Sequence, residues 1–260
     1  MPGITIASMS AEATPRLAPT LCQWWGGEAD RNGRLRTLLR LVSLLWQFAR
    51  ESTPSHRRSR YGDVDYDWDF RVDTTSATVG WRERLLGLFH SPYQPTDPAL
   101  FHEMLASLTI DFREFTFIDI GSGKGRVLLM AADYPFQRIL GVELFPALDR
   151  IARQNIRDYR SDSQRCFAIE AMCADARAFA FPPQPTILYL FNPLPEAGLA
   201  EMMKNLEASL REHPRQVFML YHNPLLESVL GEGGSFQKLT GTPQYSVFGA
   251  GFAHNSAHRG

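Results

Sequence analysis

Between residues 97 and 250, short apolar runs alternate with stretches in which apolar positions recur every three or four residues. The runs at 115 to 120, 138 to 143 ("RILGVE"), 166 to 172 ("CFAIEAM"), 186 to 191 ("TILYLF") and 216 to 221 ("QVFMLY") predict strands. The intervening "RVLLMAADY", a segment opened by Pro146, and "EAGLAEMMKNLEASL" predict helices. Ahead of the first strand, Asp97 is placed to cap a helix with Pro98 at its first position and "ALFHEMLASL" as its body. Strands and helices alternating in this way predict a doubly wound, mostly parallel α/β sheet. At its C-terminal end, "SFQKLTGT" and "QYSVFGA" flank a Gly-Thr-Pro turn region, which predicts a closing antiparallel hairpin.

Upstream the pattern changes. Residues 1 to 30 carry no periodicity and read as a flexible leader. In "RLRTLLRLVSLLWQFAR" (34 to 50), residues Leu35, Leu38, Leu39, Val42, Leu45, Trp46 and Ala49 share one helical stripe, expected to pack on the domain. Residues 31 to 60 hold eight arginines against Glu51, so contact with an acidic surface such as nucleic acid, membrane or an acidic protein is the competing expectation. "DVDYDWDF" alternates aspartates with Val64, Tyr66, Trp68 and Phe70, a period of two that predicts a half-buried extended segment. Its acidic side is expected to face solvent or to answer the arginines. Without the glycine turn of a calcium loop, no metal is expected there. The expected organisation is a leader over 1 to 30, a basic helix and acidic extended segment forming an N-terminal extension over 31 to 92, an α/β domain over 93 to 250, and a tail over 251 to 260.

Composition adds limits. A chain of 260 residues with 44% hydrophobic and 21% charged content suits one large domain with an appended segment. The net charge of -1 gives no global attraction to nucleic acid or membrane. Cys22, Cys166 and Cys173 form no C-x-x-C pair, so neither a zinc site nor a disulfide framework is indicated, and a reducing compartment is expected. No run of about 18 apolar residues and no signal peptide pattern occurs, so the expectation is a soluble, cytoplasmic protein.

The chemistry concentrates in "FIDIGSGKGR" (117 to 126). A phosphate loop needs G-x-x-x-x-G-K-[ST], but Lys124 is followed by Gly125 and Ile118 stands where the first glycine belongs. A dinucleotide loop needs G-x-G-x-x-G, and Arg126 or Leu128 occupies the third glycine position. What remains is Asp119 followed by Gly121, Gly123 and Gly125. A carboxylate ahead of a bare turn repels diphosphate and attracts an ammonium. S-adenosylmethionine carries an amino group and a sulfonium, and its carboxylate can meet the free N–H groups at the next helix start. Glu143, ending the second strand, can accept both hydroxyls of a ribose, and Asp175, after the third, can accept an adenine amine.

With "FIDIGSGKGR", "GVEL" and "CADA" in this order, residues 93 to 250 resemble the class I S-adenosylmethionine-dependent methyltransferases. The resemblance implies a Rossmann-like, seven-stranded sheet of order 3-2-1-4-5-7-6 with strand seven antiparallel. It assigns Asp119, Gly121, Ser122, Gly123 and Gly125 to the methionine part of the cofactor, Glu143 to the ribose, and Asp175 with Ala176 to the adenine. Strand four ends in "LFNPLPE", where the family places acceptor-touching residues, so Asn192 and Pro193 are candidates and Asn192 also borders the cofactor. Adenine-amine methylases read N-P-P-[FY] here; Pro195 takes the aromatic's place, which favours an amine of a protein or small molecule over a nucleobase.

The segment "PYQPTDPALFHEML" is similar to the Y-x-P-[ST] stretch of lysine methyltransferases of the ATP-synthase c-subunit kind, implying that Tyr93 and Thr96 close over the cofactor. The "GSG" loop and the strand-four Asn are also similar to those of non-SET histone-lysine methyltransferases. Phe191, Tyr93 and Tyr221 are candidate walls of an apolar acceptor channel. His222 is either a base for a hydroxyl or carboxyl acceptor or part of a turn in which Asn223 and Pro224 open the next helix. Lys124 and Arg126 run against the macrodipole of the following helix, and point to solvent or to an anionic group. Two alternatives stay open, a non-catalytic S-adenosylmethionine-binding module and a nucleic-acid methyltransferase. An aminopropyltransferase is disfavoured, since only Glu196 follows strand four as an acid.

Overall fold

A computed structural model describes residues 17–51, 64–75, 94–231 and 234–251. The sheet is built from β1 (Thr116–Ile120), β2 (Arg138–Glu143), β3 (Ile169–Cys173), β4 (Thr186–Leu190), β5 (Val217–His222), β6 (Gln237–Gly241) and β7 (Tyr245–Ala250). Its order is β3-β2-β1-β4-β5-β7-β6, with β1 to β5 parallel and β7 antiparallel to both neighbours. The expected strand order and closing hairpin are both found. β1, β4 and β5 are buried along their whole length, which is why they read as continuous apolar runs instead of alternating ones.

Helices α4 (Pro98–Ala106), α5 (Arg126–Ala131), α6 (Pro146–Asp158), α7 (Glu196–Glu212) and the short α8 (Ser228–Gly231) cover the two faces. One core contains Phe101, Phe117, Leu128, Ile139 and Tyr189; the other contains Ile118, Leu190, Met202, Leu206 and Tyr221. Asp97 caps α4 as its sequence position predicts, accepting from the Leu100 N–H at 3.0 Å, with Pro98 at the first turn.

The N-terminal portion departs from expectation. Residues Leu17–Asn32, all but the last two of which lie in the stretch read as an aperiodic leader, form helix α1. Its end is held by local bonds: Asn32 donates to Glu28 and Arg31 donates to the Gly27 carbonyl. Gly33, at φ +79, then turns the chain into α2 (Arg34–Glu51). α2 packs on α1, and one side of it carries the wholly buried Thr37 and the half-buried Leu41, Leu44 and Phe48, while Arg40 pairs with the buried Glu28. The stripe expected to face the domain points the other way: Leu35, Leu38, Leu39, Val42, Leu45 and Trp46 are all exposed.

The acidic segment is helical as well, forming α3 (Val64–Phe70) instead of an extended run. An alternation of period two also places residues four apart on one side, and Tyr66 and Phe70 use that spacing to pack at a 4.7 Å centroid separation. Asp67 fixes the turn beyond α3 by accepting from the Thr74 and Thr75 N–H groups at 2.8 and 2.9 Å. Tyr66, Phe70 and Val72 pack on the core of the sheet domain.

Candidate functional site

The parallel strands of the sheet all end at one edge, and the glycine loop lies there between β1 and α5. Gly121, Gly123 and Gly125 have φ of +78, +54 and +85, a backbone that only glycine adopts at little cost. At Gly121 a Cβ would lie 2.7 Å from Pro193 Cβ, so the loop after β1 rests directly on the loop after β4. Gly141 admits a second close approach, since a Cβ there would lie 2.7 Å from Ser122 Oγ. The Ser122 hydroxyl is buried and has no hydrogen-bond partner among the described residues.

Asp119, the penultimate residue of β1, sits in register with Gly141 of β2 and with Tyr189, the penultimate residue of β4. Its side chain is buried, and among the described residues no donor reaches it. Burial lifts its carboxyl well above the usual range, and the nearby Glu143 lifts it further. Glu143 is equally buried but bonded: one oxygen accepts from the Gly123 N–H at 2.8 Å, the other from the Phe145 N–H at 2.8 Å. Burial dominates those bonds, and Glu143 is pushed up to about 7. It therefore braces the glycine loop, and each oxygen keeps a further lone pair.

Lys124 and Arg126 face neither solvent nor the macrodipole's positive end alone; both are buried against the segment around α3. Lys124 Nζ donates to Asp73 Oδ1 and to the Thr75 carbonyl, each at 2.7 Å. Arg126 Nε donates to Thr74 Oγ1 at 2.8 Å, its Nη2 lies 3.6 Å from Asp67, and its guanidinium lies 4.4 Å over the Tyr66 ring. Burial lowers Arg126 to about 10, which leaves it charged at neutral pH. Asn155 of α6 completes the clamp, donating to the carbonyls of Asp73 and Lys124 while accepting from the Asp73 N–H. The acids of this segment thus answer the glycine-loop cations. Sequence reading missed Asn155, Asp67 and Asp73 because nothing local to them signals a partner 50 or more residues away.

Beyond the end of β3, Asp175 caps the short turn Ala176–Ala178, accepting from the Arg177 N–H. It is also gripped by the Arg177 guanidinium, which reaches Glu201 as well. Ala176 is buried beneath it. Asn192 adopts φ +45 and uses both ends of its amide: Nδ2 donates to the Asn223 carbonyl at 2.7 Å, and Oδ1 accepts from Tyr221 at 2.9 Å. Tyr221 is accordingly a fully buried brace between two loops and forms no part of a channel wall.

His222 is buried and stacks on Phe191 at a 3.9 Å centroid distance, while its Nδ1 lies 2.8 Å from the Tyr189 hydroxyl. That hydroxyl lies 2.9 Å from Thr96 Oγ1. Burial pushes His222 down to about 4, so the imidazole is neutral at pH 7. Asn223, at φ +48, opens a turn ahead of α8. The Thr96–Tyr189–His222 chain was foreshadowed only at its two ends, since Tyr189 reads as one more core residue of β4. Tyr93 lies outside the described residues. Among those residues no cluster of three or more His, Cys, Asp and Glu side chains could hold a metal, and no helix is long and apolar enough to cross a membrane.

No family model matches the chain, and no curated protein matches it. Solved structures similar to it include a ribosomal protein L11 methylase from Lactobacillus delbrueckii subsp. bulgaricus, at 16% identity over 59% of this chain and 76% of that one, with a TM-score of 0.40. An RNA methyltransferase from Salinibacter ruber in complex with S-adenosyl-L-homocysteine is 18% identical over 64% of this chain and 98% of that one, with a TM-score of 0.39. An N6-adenine-specific DNA methylase predicted in Listeria monocytogenes str. 4b F2365 is 14% identical over 60% of this chain and 51% of that one, with a TM-score of 0.45.

Proposed function

We propose that the protein is an S-adenosylmethionine-dependent methyltransferase acting on an amine nitrogen of a protein or small molecule. The observation that carries this reading is Asp119, a buried carboxylate at the ligand edge of the sheet that no donor among the described residues satisfies. Leaving such a group unpaired is costly. A ligand ammonium would offset that cost, whereas a diphosphate would increase it. The glycine loop fits the same ligand, because its bare backbone lets a cofactor approach the N–H groups at the start of α5.

Asp119 and the glycine loop would hold the methionine end, the remaining lone pairs of Glu143 the ribose hydroxyls, and Asp175 with Ala176 the adenine. When bound, S-adenosylmethionine supplies a methyl carbon already activated by its sulfonium. The chain's part is then alignment and exclusion of water. Asn192 and the backbone at Pro193, the former held by Tyr221 and the latter packed on Gly121, would orient the acceptor amine. Phe191 over the neutral His222 supplies a surface with no net charge, which favours an amine that has lost its proton.

The test is calorimetry followed by a product assay. S-adenosylmethionine or S-adenosylhomocysteine should bind and NADH or ATP should not. S-adenosylhomocysteine should then form when amine-bearing proteins or metabolites are supplied. Tight uptake of the phosphate-bearing nucleotides with indifference to the sulfonium compound would refute the reading.

A further inference from the structure

We infer that α2 is an in-plane membrane anchor that lays its outer face on an anionic lipid surface. The inference is independent of the methyltransferase reading. Leu35, Leu38, Leu39, Val42, Leu45, Trp46 and Ala49 form one uninterrupted apolar stripe, and each is exposed; Leu35 and Trp46 are 73% and 70% accessible. At about 1.5 Å per residue the stripe runs for roughly 17 Å between Leu35 and Trp46. No charged residue interrupts it. This face is separate from the one that α2 uses for folding, since Thr37, Leu41, Leu44 and Phe48 already occupy the side packed inward.

Charge selects the occupant. At 3.6 residues per turn, Arg34 and Arg36 fall on opposite flanks of the stripe, and both are exposed with no acidic partner among the described residues. Within α2 the sequence holds Arg34, Arg36, Arg40 and Arg50 against Glu51, and of these Arg40 is already paired with Glu28. A second copy docked on the stripe would bring like-charged flanks together. Nucleic acid would take the arginines and leave the stripe in water. A planar interface with acidic headgroups satisfies both: the stripe enters the acyl boundary while the arginine stems reach back to the headgroups. The charge count of α2 and its 18-residue length fit a helix lying in the interface, consistent with no described helix being able to cross a membrane.

The full chain is tested by flotation with vesicles of phosphatidylcholine alone and of phosphatidylcholine with about a third phosphatidylglycerol. The wild type should float with the anionic vesicles only, and 0.5 M salt should reduce the bound fraction severalfold. Leu39→Glu with Trp46→Glu should abolish flotation, and Arg34→Glu with Arg36→Glu should weaken it by about tenfold or more. Both variants should keep the wild-type urea midpoint. Failure of the wild type to bind anionic vesicles overturns the anchor. So does a wild-type dimer in light scattering that Leu39→Glu with Trp46→Glu dissociates, which assigns the stripe to a second copy. A fall in urea midpoint for that variant, with no vesicle binding by the wild type, assigns it to another segment of the same chain. Binding to duplex nucleic acid that survives Leu39→Glu with Trp46→Glu, again without vesicle binding, also overturns it.

Discussion

The ammonium of Lys124 is wholly buried yet donates at 2.7 Å to a carboxylate 51 residues upstream, that of Asp73, whose own side chain is 42% exposed. The pair is therefore unequal. Removing Asp73 leaves a charge in the interior, whereas removing Lys124 leaves one that water can reach. Asp73→Ala should lower unfolding stability by about 2 to 3 kcal/mol, and Lys124→Met by about 1 kcal/mol. The double variant should be no worse than Asp73→Ala alone. Urea denaturation of the three variants checks this, and equal losses for the two single changes would contradict it.

Gly121 touches Pro193 at a position where φ is +78. Gly121→Ala combines a left-handed conformation unfavourable to a side chain with a Cβ 2.7 Å from another carbon. We expect a loss of roughly 2 kcal/mol or more in stability. Because the shift parts the loops after β1 and β4, affinity for S-adenosylhomocysteine should drop at least about tenfold while the far-ultraviolet spectrum stays that of the wild type.

Glu143 is pushed up to about 7 and Asp119 is also raised, chiefly by burial. A ligand ammonium or ribose prefers the ionised carboxylates, so binding must expel protons at low pH. Affinity for S-adenosylhomocysteine should rise as pH climbs from about 5 to about 8, approaching a tenfold gain per pH unit below 7 if one proton is released. The calorimetric enthalpy should depend on the ionisation heat of the buffer. The stability of the ligand-free protein should move oppositely. Raised carboxyls favour the fold most when protonated, so this contribution is present at low pH and is lost as pH rises through about 7. Asp119→Asn should accordingly raise the melting temperature at pH 8 while weakening ligand binding.

His222 has the reverse sign. Burial holds it neutral, down to about 4 against an unfolded value of 6.5. Its contribution is complete above pH 6.5 and is lost as pH falls toward 4, where the unfolded chain takes up a proton that the fold resists. His222→Gln, which can still meet the Tyr189 hydroxyl, should flatten the stability profile between pH 6.5 and pH 4 relative to the wild type. Thermal melts across that range read the difference directly.

The order of strands, the cap at Asp97 and the special backbone at Gly121, Gly123 and Gly125 were legible because each rests on local chemistry: periodicity, a short acceptor beside free N–H groups, and conformations that need glycine. The α3 segment was misread because the same alternation that suits a strand also pairs Tyr66 with Phe70 on a helix. On α2 the apolar stripe was identified residue by residue, but its surroundings were not, since amphipathicity marks a face without naming what covers it. The bonds from Lys124 to Asp73 and from Tyr189 to His222 join positions 51 and 33 residues apart. Only the folded topology brings such residues together.

The clamp between Lys124, Arg126 and the α3 segment also decides where the chain can be cut. A truncation beginning at residue 94 would retain every strand and every glycine of the loop, and by sequence motif alone would count as an intact cofactor domain. It would nevertheless take the carboxylates of Asp73 and Asp67 from Lys124 and Arg126 and uncover the apolar surface on which Tyr66, Phe70 and Val72 pack. The smallest autonomous unit thus begins upstream of Tyr66, and shorter fragments should be recovered from expression as aggregates.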